Sequence, residues 1–185
     1  MKFCSSCGNP VKQEIPSGDN RLRYVCTVCG EIHYQNPRVI AGVLPIYEDQ
    51  VLLCKRSIEP RHGYWTLPAG FLENGESSVE GALRECIEES QATVVDPILY
   101  AIYDIPQINQ VYMLYRGELS TPEFGPTSES SEVNLFYEKD IPWNQIAFPM
   151  VEITLDHYFE DRKTNRFDVI REDIRRPWKS KHQPS

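Results

Sequence analysis

The sequence predicts an α+β fold, a mixed sheet sandwiched between helices, with a small cysteine-rich appendage at its N-terminus. Three observations predict it. Apolar runs with strand character recur between residues 39 and 137, whereas only two segments carry helical spacing. The connections between them are short. Four of the six cysteines form two Cys-x-x-Cys pairs ahead of that region. A chain of 185 residues has room for one domain of ordinary size plus such an appendage. The expected division is 1–35 for the appendage, 36–165 for the main domain and 166–185 for a C-terminal tail.

The pairs Cys4-Ser5-Ser6-Cys7 and Cys26-Thr27-Val28-Cys29 have the spacing of a four-cysteine zinc site. Each is followed by a glycine, Gly8 or Gly30, which lets the backbone turn tightly around a knuckle. Two disulfides are the alternative, but cysteines two apart bridge poorly and a reducing compartment disfavours them. With four thiolates as ligands no position is left for water, so the expected Zn²⁺ is structural. The segment has little core of its own and is expected to need the ion to fold. His33, just past the second knuckle, is read as an ordinary polar residue. Cys54 and Cys86 fall in apolar patterns and are expected to fill core.

Beyond Asn36-Pro37, Val39 to Tyr47 and Val51 to Lys55 flank a turn at Glu48-Asp49 and predict a hairpin. A short extended piece, Tyr64 to Leu67, leads to Pro68-Ala69-Gly70. Further strands are expected at Ile98 to Asp104, Val111 to Leu119 and Val133 to Tyr137, with a Pro-, Gly- and Ser-rich loop from Thr121 to Ser131. From Pro149 to Arg162 the apolar residues return at helical spacing. The tail containing Arg175-Arg176-Pro177-Trp178-Lys179 is basic.

The clearest helix begins at Ser77-Ser78-Val79-Glu80, which has the form of a capping box. At 100° per residue, Val79, Ala82, Leu83, Cys86 and Ile87 gather on one face and Glu85, Glu88 and Glu89 on another. Like charges at this spacing destabilise a helix by a few tenths of a kcal/mol per pair, roughly, and no Lys is interleaved. A hard divalent cation would offset that cost; Mg²⁺ is the common choice where a substrate brings phosphates, with Mn²⁺ as its substitute. A solvated acidic face is equally compatible with the helix taken alone.

The surroundings decide between these. Gly70-Phe71-Leu72-Glu73-Asn74-Gly75-Glu76 and Arg84-Glu85-Cys86-Ile87-Glu88-Glu89 together resemble the Nudix box, G-x5-E-x7-R-E-U-x-E-E-x-G-U, with Gly70, Glu76, Arg84, Glu85, Glu88 and Glu89 at matching positions. Gln91 and Ala92 depart from it; Gln91 replaces the glycine that ends the helix in a left-handed turn. The resemblance implies a Nudix α/β/α sandwich and a metal-dependent hydrolase of nucleoside-diphosphate compounds. Glu85 and Glu89 would bind the principal metal, Glu88 a second ion, and carbonyls near Ala69 and Gly70 would complete the shell. Glu76 and Arg84 would support them, Arg84 by orienting a carboxylate. The base that activates water is expected at Glu132 or Glu129.

The whole chain also resembles the plant-type FAD and ADP-ribose pyrophosphatase branch, on Tyr34-Gln35-Asn36-Pro37, Leu52-Leu53-Cys54-Lys55-Arg56, Gly63-Tyr64-Trp65-Thr66-Leu67-Pro68-Ala69-Gly70 and Asp104-Ile105-Pro106. The Ser-Gln-Pro-Trp-Pro-Phe-Pro run of NADH pyrophosphatases is absent from the sequence. FAD or ADP-ribose is therefore the expected substrate, cut to AMP plus FMN or ribose 5-phosphate. Arg56 is a candidate for a phosphate, and Tyr64, Trp65, Tyr103 and Tyr112 for stacking on a base, against core packing as the alternative.

A net charge of -8 opposes binding to nucleic acid or to an anionic membrane, and no apolar stretch nears the roughly 18 to 20 residues of a membrane span. Met1-Lys2-Phe3-Cys4 enters the cysteine motif without a signal-peptide core, so a cytoplasmic location is expected. The remaining alternatives are an NADH pyrophosphatase, a Nudix fold that senses nucleotides without catalysis, and a nucleic-acid-binding or cap-removing protein that works through its zinc ribbon. Many relatives with the pyrophosphatase activity are dimers, so a homodimer is also expected.

Overall fold

The computed structural model describes residues 1–175 and 182. It separates into two compact units, 1–37 and 38–185. The first is a three-stranded antiparallel sheet of β1 (Val11–Glu14), β2 (Arg23–Cys26) and β3 (Ile32–His33), in that order.

The second unit is built on one eight-stranded sheet. Its strands are β4 (Arg38–Tyr47), β5 (Gln50–Arg56), β6 (Trp65–Thr66), β7 (Ala69–Phe71), β8 (Val94–Ile105), β9 (Gln110–Leu119), β10 (Ser130–Tyr137) and β11 (Ile170–Asp173). The main path runs β10-β5-β4-β9-β8-β11, with β6 added to β5 and β7 to β4. Pairing is parallel for β4 with β9 and for β11 with β8, and antiparallel elsewhere, which makes the sheet mixed.

Helices α1 (Ser78–Ser90) and α2 (Pro149–Thr164) cover its two faces. Alternation along the strands divides the core accordingly. Leu44 and Ile46 of β4 and Val51 and Leu53 of β5 pack with Leu155, Tyr158 and Phe159 of α2. Their neighbours Ala41, Val43, Leu52 and Cys54 pack with Ala82 and Cys86 of α1. Cys54 and Cys86 are fully buried, in keeping with their reading as core.

The feature that makes room for a site is a split in the sheet. β4 and β5 pair only at Ile46–Val51 and Tyr47–Gln50 and then part, β5 going on with β6 and β4 with β7. Gly42 permits the close approach of β7, because a Cβ there would collide with Ala69 and with the Pro68 carbonyl.

Several details differ from the sequence reading. Strand β8 begins at Val94 and β10 at Ser130, both earlier than expected, because pairing with β9 and β5 continues across bulges. The segment 166–185, expected as tail, contributes β11 at the sheet edge; residues 176–179 of the basic run lie outside the described residues. Ile87, assigned to the apolar face of α1, is 52% exposed. Among the described residues no helix is long and apolar enough to cross a membrane.

Candidate active site and zinc ribbon

In the ribbon, the sulfurs of Cys4, Cys7, Cys26 and Cys29 all lie within 4.8 Å of one another. The Cys7–Cys29, Cys7–Cys26 and Cys4–Cys29 separations are 3.4, 3.5 and 3.7 Å. A tetrahedron with Zn–S bonds of about 2.3 Å has edges of about 3.8 Å, so the thiols fit this ion and form no disulfide. The Val28 and Cys29 amides donate to Cys26 Sγ at 3.5 and 3.4 Å, and with them the Cys26 thiol is held below its usual range. His33 is buried on β3 and outside the cluster.

The second site rests on α1. Ser77 caps the helix, with the Glu80 amide donating to its Oγ and its own amide donating to Glu80 Oε2 at 2.7 Å, the reciprocal pair expected from the sequence. At the other end Gln91 takes φ 59°, ψ 5°, the left-handed cap itself, and its amide donates to the Ile87 carbonyl at 2.8 Å. The Gln91 side chain then donates to the Pro126 carbonyl at 2.7 Å. A glutamine thus performs the turn that glycine performs more cheaply, and its side-chain bond offsets part of the roughly 1 kcal/mol of strain.

Between these caps the acidic residues occupy three different environments. Glu88 is exposed. Glu85 is half-buried beneath Gly70, where any Cβ would collide with its carboxylate. Glu89 is only 5% exposed, and the Ala69 amide donates to its Oε2 at 3.3 Å. Burial and then the charge of Glu85 push the Glu89 carboxyl up to about 8. Burial also raises Glu85, against the pull of Arg84.

Arg84 is the organising cation. Its Nε and Nη2 donate to the two oxygens of Glu76 at 3.0 and 2.7 Å, its Nη1 to Glu85 at 2.7 Å and Glu88 at 3.1 Å, and its Nη2 also to the Phe71 carbonyl at 3.2 Å. Glu76 is thereby held down at about 2. One guanidinium cannot neutralise Glu76, Glu85, Glu88 and Glu89 together. The surplus of hard oxygen donors, one of them buried with a raised pKa, fits a divalent cation such as Mg²⁺.

A cavity of about 780 Å³ opens on this face. Glu85, Glu88, Glu89, Arg84 and Gly70 line one end, and Ile105, Tyr112, Leu114, Met150 and Val151 line the other, so it passes from the α1 side of the sheet to the α2 side. Arg56 lines it as well, its Nε donating to the Pro60 carbonyl at 2.8 Å and its guanidinium 5.2 Å from the Phe148 ring centroid. Tyr112 is among the lining residues.

Other expected contacts are placed elsewhere. Tyr103 is fully buried and shares a hydrogen bond with Thr154 of α2 at 3.0 Å, so it belongs to the core. Trp65 is buried edge-on against Phe136 at 4.9 Å. Tyr64 lies outside the cavity lining with Arg61 over its ring. Glu132 pairs with Lys55 at 2.7 Å on the outer strands, whereas Glu129 lines the cavity and its charge raises both Glu85 and Glu89. Sequence reasoning missed Arg38, Gln107 and Gln110 in the lining, since polar residues at strand starts and turns carry no motif.

Comparison with known proteins agrees with this geometry. The family model described as Nudix N-terminal, a zinc ribbon, matches residues 2–35, and the NUDIX domain model matches 36–154. The chain belongs to the Nudix family, and it carries that family's N-terminal zinc ribbon. A NUDIX hydrolase from Nitrosomonas europaea is 50% identical, with a TM-score of 0.89 over 94% of this chain and 100% of that one. The NAD-capped RNA hydrolase NudC of Vibrio cholerae is 26% identical over 170 residues, 88% of this chain and 60% of the relative. NudC of Stutzerimonas stutzeri is 30% identical over 159 residues, 83% of this chain and 56% of the relative. The chain therefore spans little more than half the length of these curated relatives.

Proposed function

We propose that the chain hydrolyses the pyrophosphate bond of a nucleoside-diphosphate-linked metabolite in a divalent-metal-dependent reaction, with FAD or ADP-ribose as the leading substrates and AMP as a product. One observation carries this: a single cavity joins a crowded carboxylate face to an apolar chamber large enough for a nucleotide. The plant-type motifs in the sequence support FAD or ADP-ribose within that class. A second reading, an NAD-linked substrate such as NADH or an NAD-capped RNA, is favoured by the relatives named as NAD-capped RNA hydrolases.

Glu85, Glu88 and Glu89, with the carbonyl near Gly70, would hold Mg²⁺ or Mn²⁺. When bound, such an ion neutralises charge on phosphate oxygens and lowers the pKa of a coordinated water. The rest falls to the chain itself. Arg84 orients Glu85 and Glu88 through its hydrogen bonds. Arg56 offers a guanidinium to a phosphate oxygen. Glu129, which lines the cavity, would take the proton as water attacks one phosphorus and the bridging oxygen leaves with the other phosphate. Glu132, engaged with Lys55, is the weaker candidate. For assembly we propose a homodimer, which sedimentation of the zinc-loaded chain tests by mass.

Side-by-side hydrolysis of FAD, ADP-ribose, NADH and a capped RNA with Mg²⁺ tests the reading. Preferential AMP release from FAD or ADP-ribose supports it, and preference for NADH or the capped RNA moves the second reading to the front. Failure to turn over any of them, with nucleotide binding intact, identifies a sensing module instead.

A further inference from the structure

The two ends of the cavity differ in chemistry, and only the α1 end is explained by cutting a pyrophosphate. On the α2 side the walls are Ile105, Leu114, Met150 and Val151, all buried, with Tyr112 packed against them. The polar side chains at the edge of this chamber are two carboxamides, Gln107 on the turn Pro106–Ile108 and Gln110 at the start of β9, with Arg38 of β4 opposite Gln110. Neither carboxamide is loosely held. Gln107 Nε2 donates to the Ile174 carbonyl at 2.9 Å, and the Ile174 amide donates to the Asp104 carbonyl at 2.9 Å, tying the turn to the chain that follows β11. The Tyr112 hydroxyl donates to Gln110 Oε1 at 3.3 Å.

Each of these bonds uses one half of an amide and leaves the other half to spend. Gln107 retains Oε1 as an acceptor and Gln110 retains Nε2 as a donor. A sugar or a phosphate brings many polar atoms and would leave most of them unpaired against Ile, Leu, Met and Val. A flat heterocycle presents apolar faces to such walls and needs partners only along one edge.

We propose that the α2-side chamber is the subsite for a planar heterocycle carrying adjacent donor and acceptor atoms, gripped at its edge by Gln107 and Gln110. This deepens the pyrophosphatase reading and rests on it for the position of the phosphates. The chamber, and not the carboxylate face, then selects which nucleotide is cut. Adenine and the nicotinamide carboxamide share the required chemistry, and they are separated by experiment.

Binding of AMP, NMN and ribose 5-phosphate to the zinc-loaded chain is measured by calorimetry for the wild type and for Gln107→Leu and Gln110→Leu, with melting temperatures as the control for folding. The expected result is that AMP or NMN weakens about tenfold in each variant, the loss of one hydrogen bond to a fixed partner, while ribose 5-phosphate is unchanged. The ligand that weakens identifies the heterocycle in the chamber. Equal weakening of all three ligands, no weakening of any, or no preference of the wild type for AMP or NMN over ribose 5-phosphate overturns the proposal. Selective weakening in a chain that hydrolyses no dinucleotide would refute the pyrophosphatase reading and leave the subsite standing.

Discussion

The ribbon and the α1 face each gather four ionisable side chains, and they do so to opposite ends. Four soft thiolates within 4.8 Å, two of them buried, enclose a tetrahedral position and leave no opening. The carboxylates Glu76, Glu85, Glu88 and Glu89 are strung along a loop and a helix; the first three share one arginine and the last three border an open cavity. A closed set of ligands serves folding, and an open, undercompensated set serves chemistry. Residue count and charge are alike in both; ligand softness and access separate them.

The sharpest way to break this contrast is to remove one ligand from each site. Glu89→Gln is expected to lower kcat on the order of 10³-fold, with the fold and the zinc content unchanged, as assays and metal analysis will show. Cys26→Ser should do the reverse in structure, losing zinc and the amide protection of β1 to β3 in hydrogen exchange. Loss of zinc in Glu89→Gln, or retention of it in Cys26→Ser, would dissolve the distinction.

A smaller effect separates the two loop glutamates. Glu129→Gln is expected to reduce kcat by about 10²-fold, within the range for a general base, and Glu132→Gln by less than about threefold. Equal losses would remove the geometric reason for preferring Glu129.

The buried carboxylate also gives the open site a pH signature that the closed one lacks. Glu89 rises from an ordinary 4.5 to about 8 because burial disfavours its charged form. Between those values the unfolded chain releases this proton and the folded, Mg²⁺-free chain keeps it, so folding takes up a proton and stability falls as pH rises. Below 4.5 and above 8 the group contributes no slope. Melting temperatures of zinc-loaded, Mg²⁺-free protein should decline across that window, and less steeply in Glu89→Gln. The smallest expected change is Gln91→Gly, where relief of the left-handed strain opposes loss of the Pro126 bond. Its stability should stay within about 1 kcal/mol of wild type in denaturant titration.

Much of this contrast was legible in the sequence because it is written in spacing. The Cys-x-x-Cys pairs, the capping box at Ser77 and the i, i+3, i+4 carboxylates all depend on neighbours within one turn or knuckle, so local geometry places them. What depends on the third dimension was not. Tyr103 and Tyr112 sit on one strand pair directly opposite each other, yet one is sealed under α2 and the other meets the cavity, because the split between β4 and β5 opens only near one end of the sheet. The same holds for Glu129 and Glu132, three residues apart on either side of a bulge that turns one inward and leaves the other against Lys55. The edge strand β11 escaped notice because Ile170–Asp173 is short and polar, and it is held by pairing with β8 more than by burial.

The most direct test of the central claim is Mn²⁺ binding to the zinc-loaded chain, followed by electron paramagnetic resonance, in the wild type and in Glu85→Gln and Glu89→Gln, with turnover of FAD and ADP-ribose measured on the same samples. The account predicts that the wild type binds Mn²⁺ and releases AMP, and that both properties fall together in each variant while zinc is retained. Unchanged Mn²⁺ binding and unchanged turnover in the variants would contradict it.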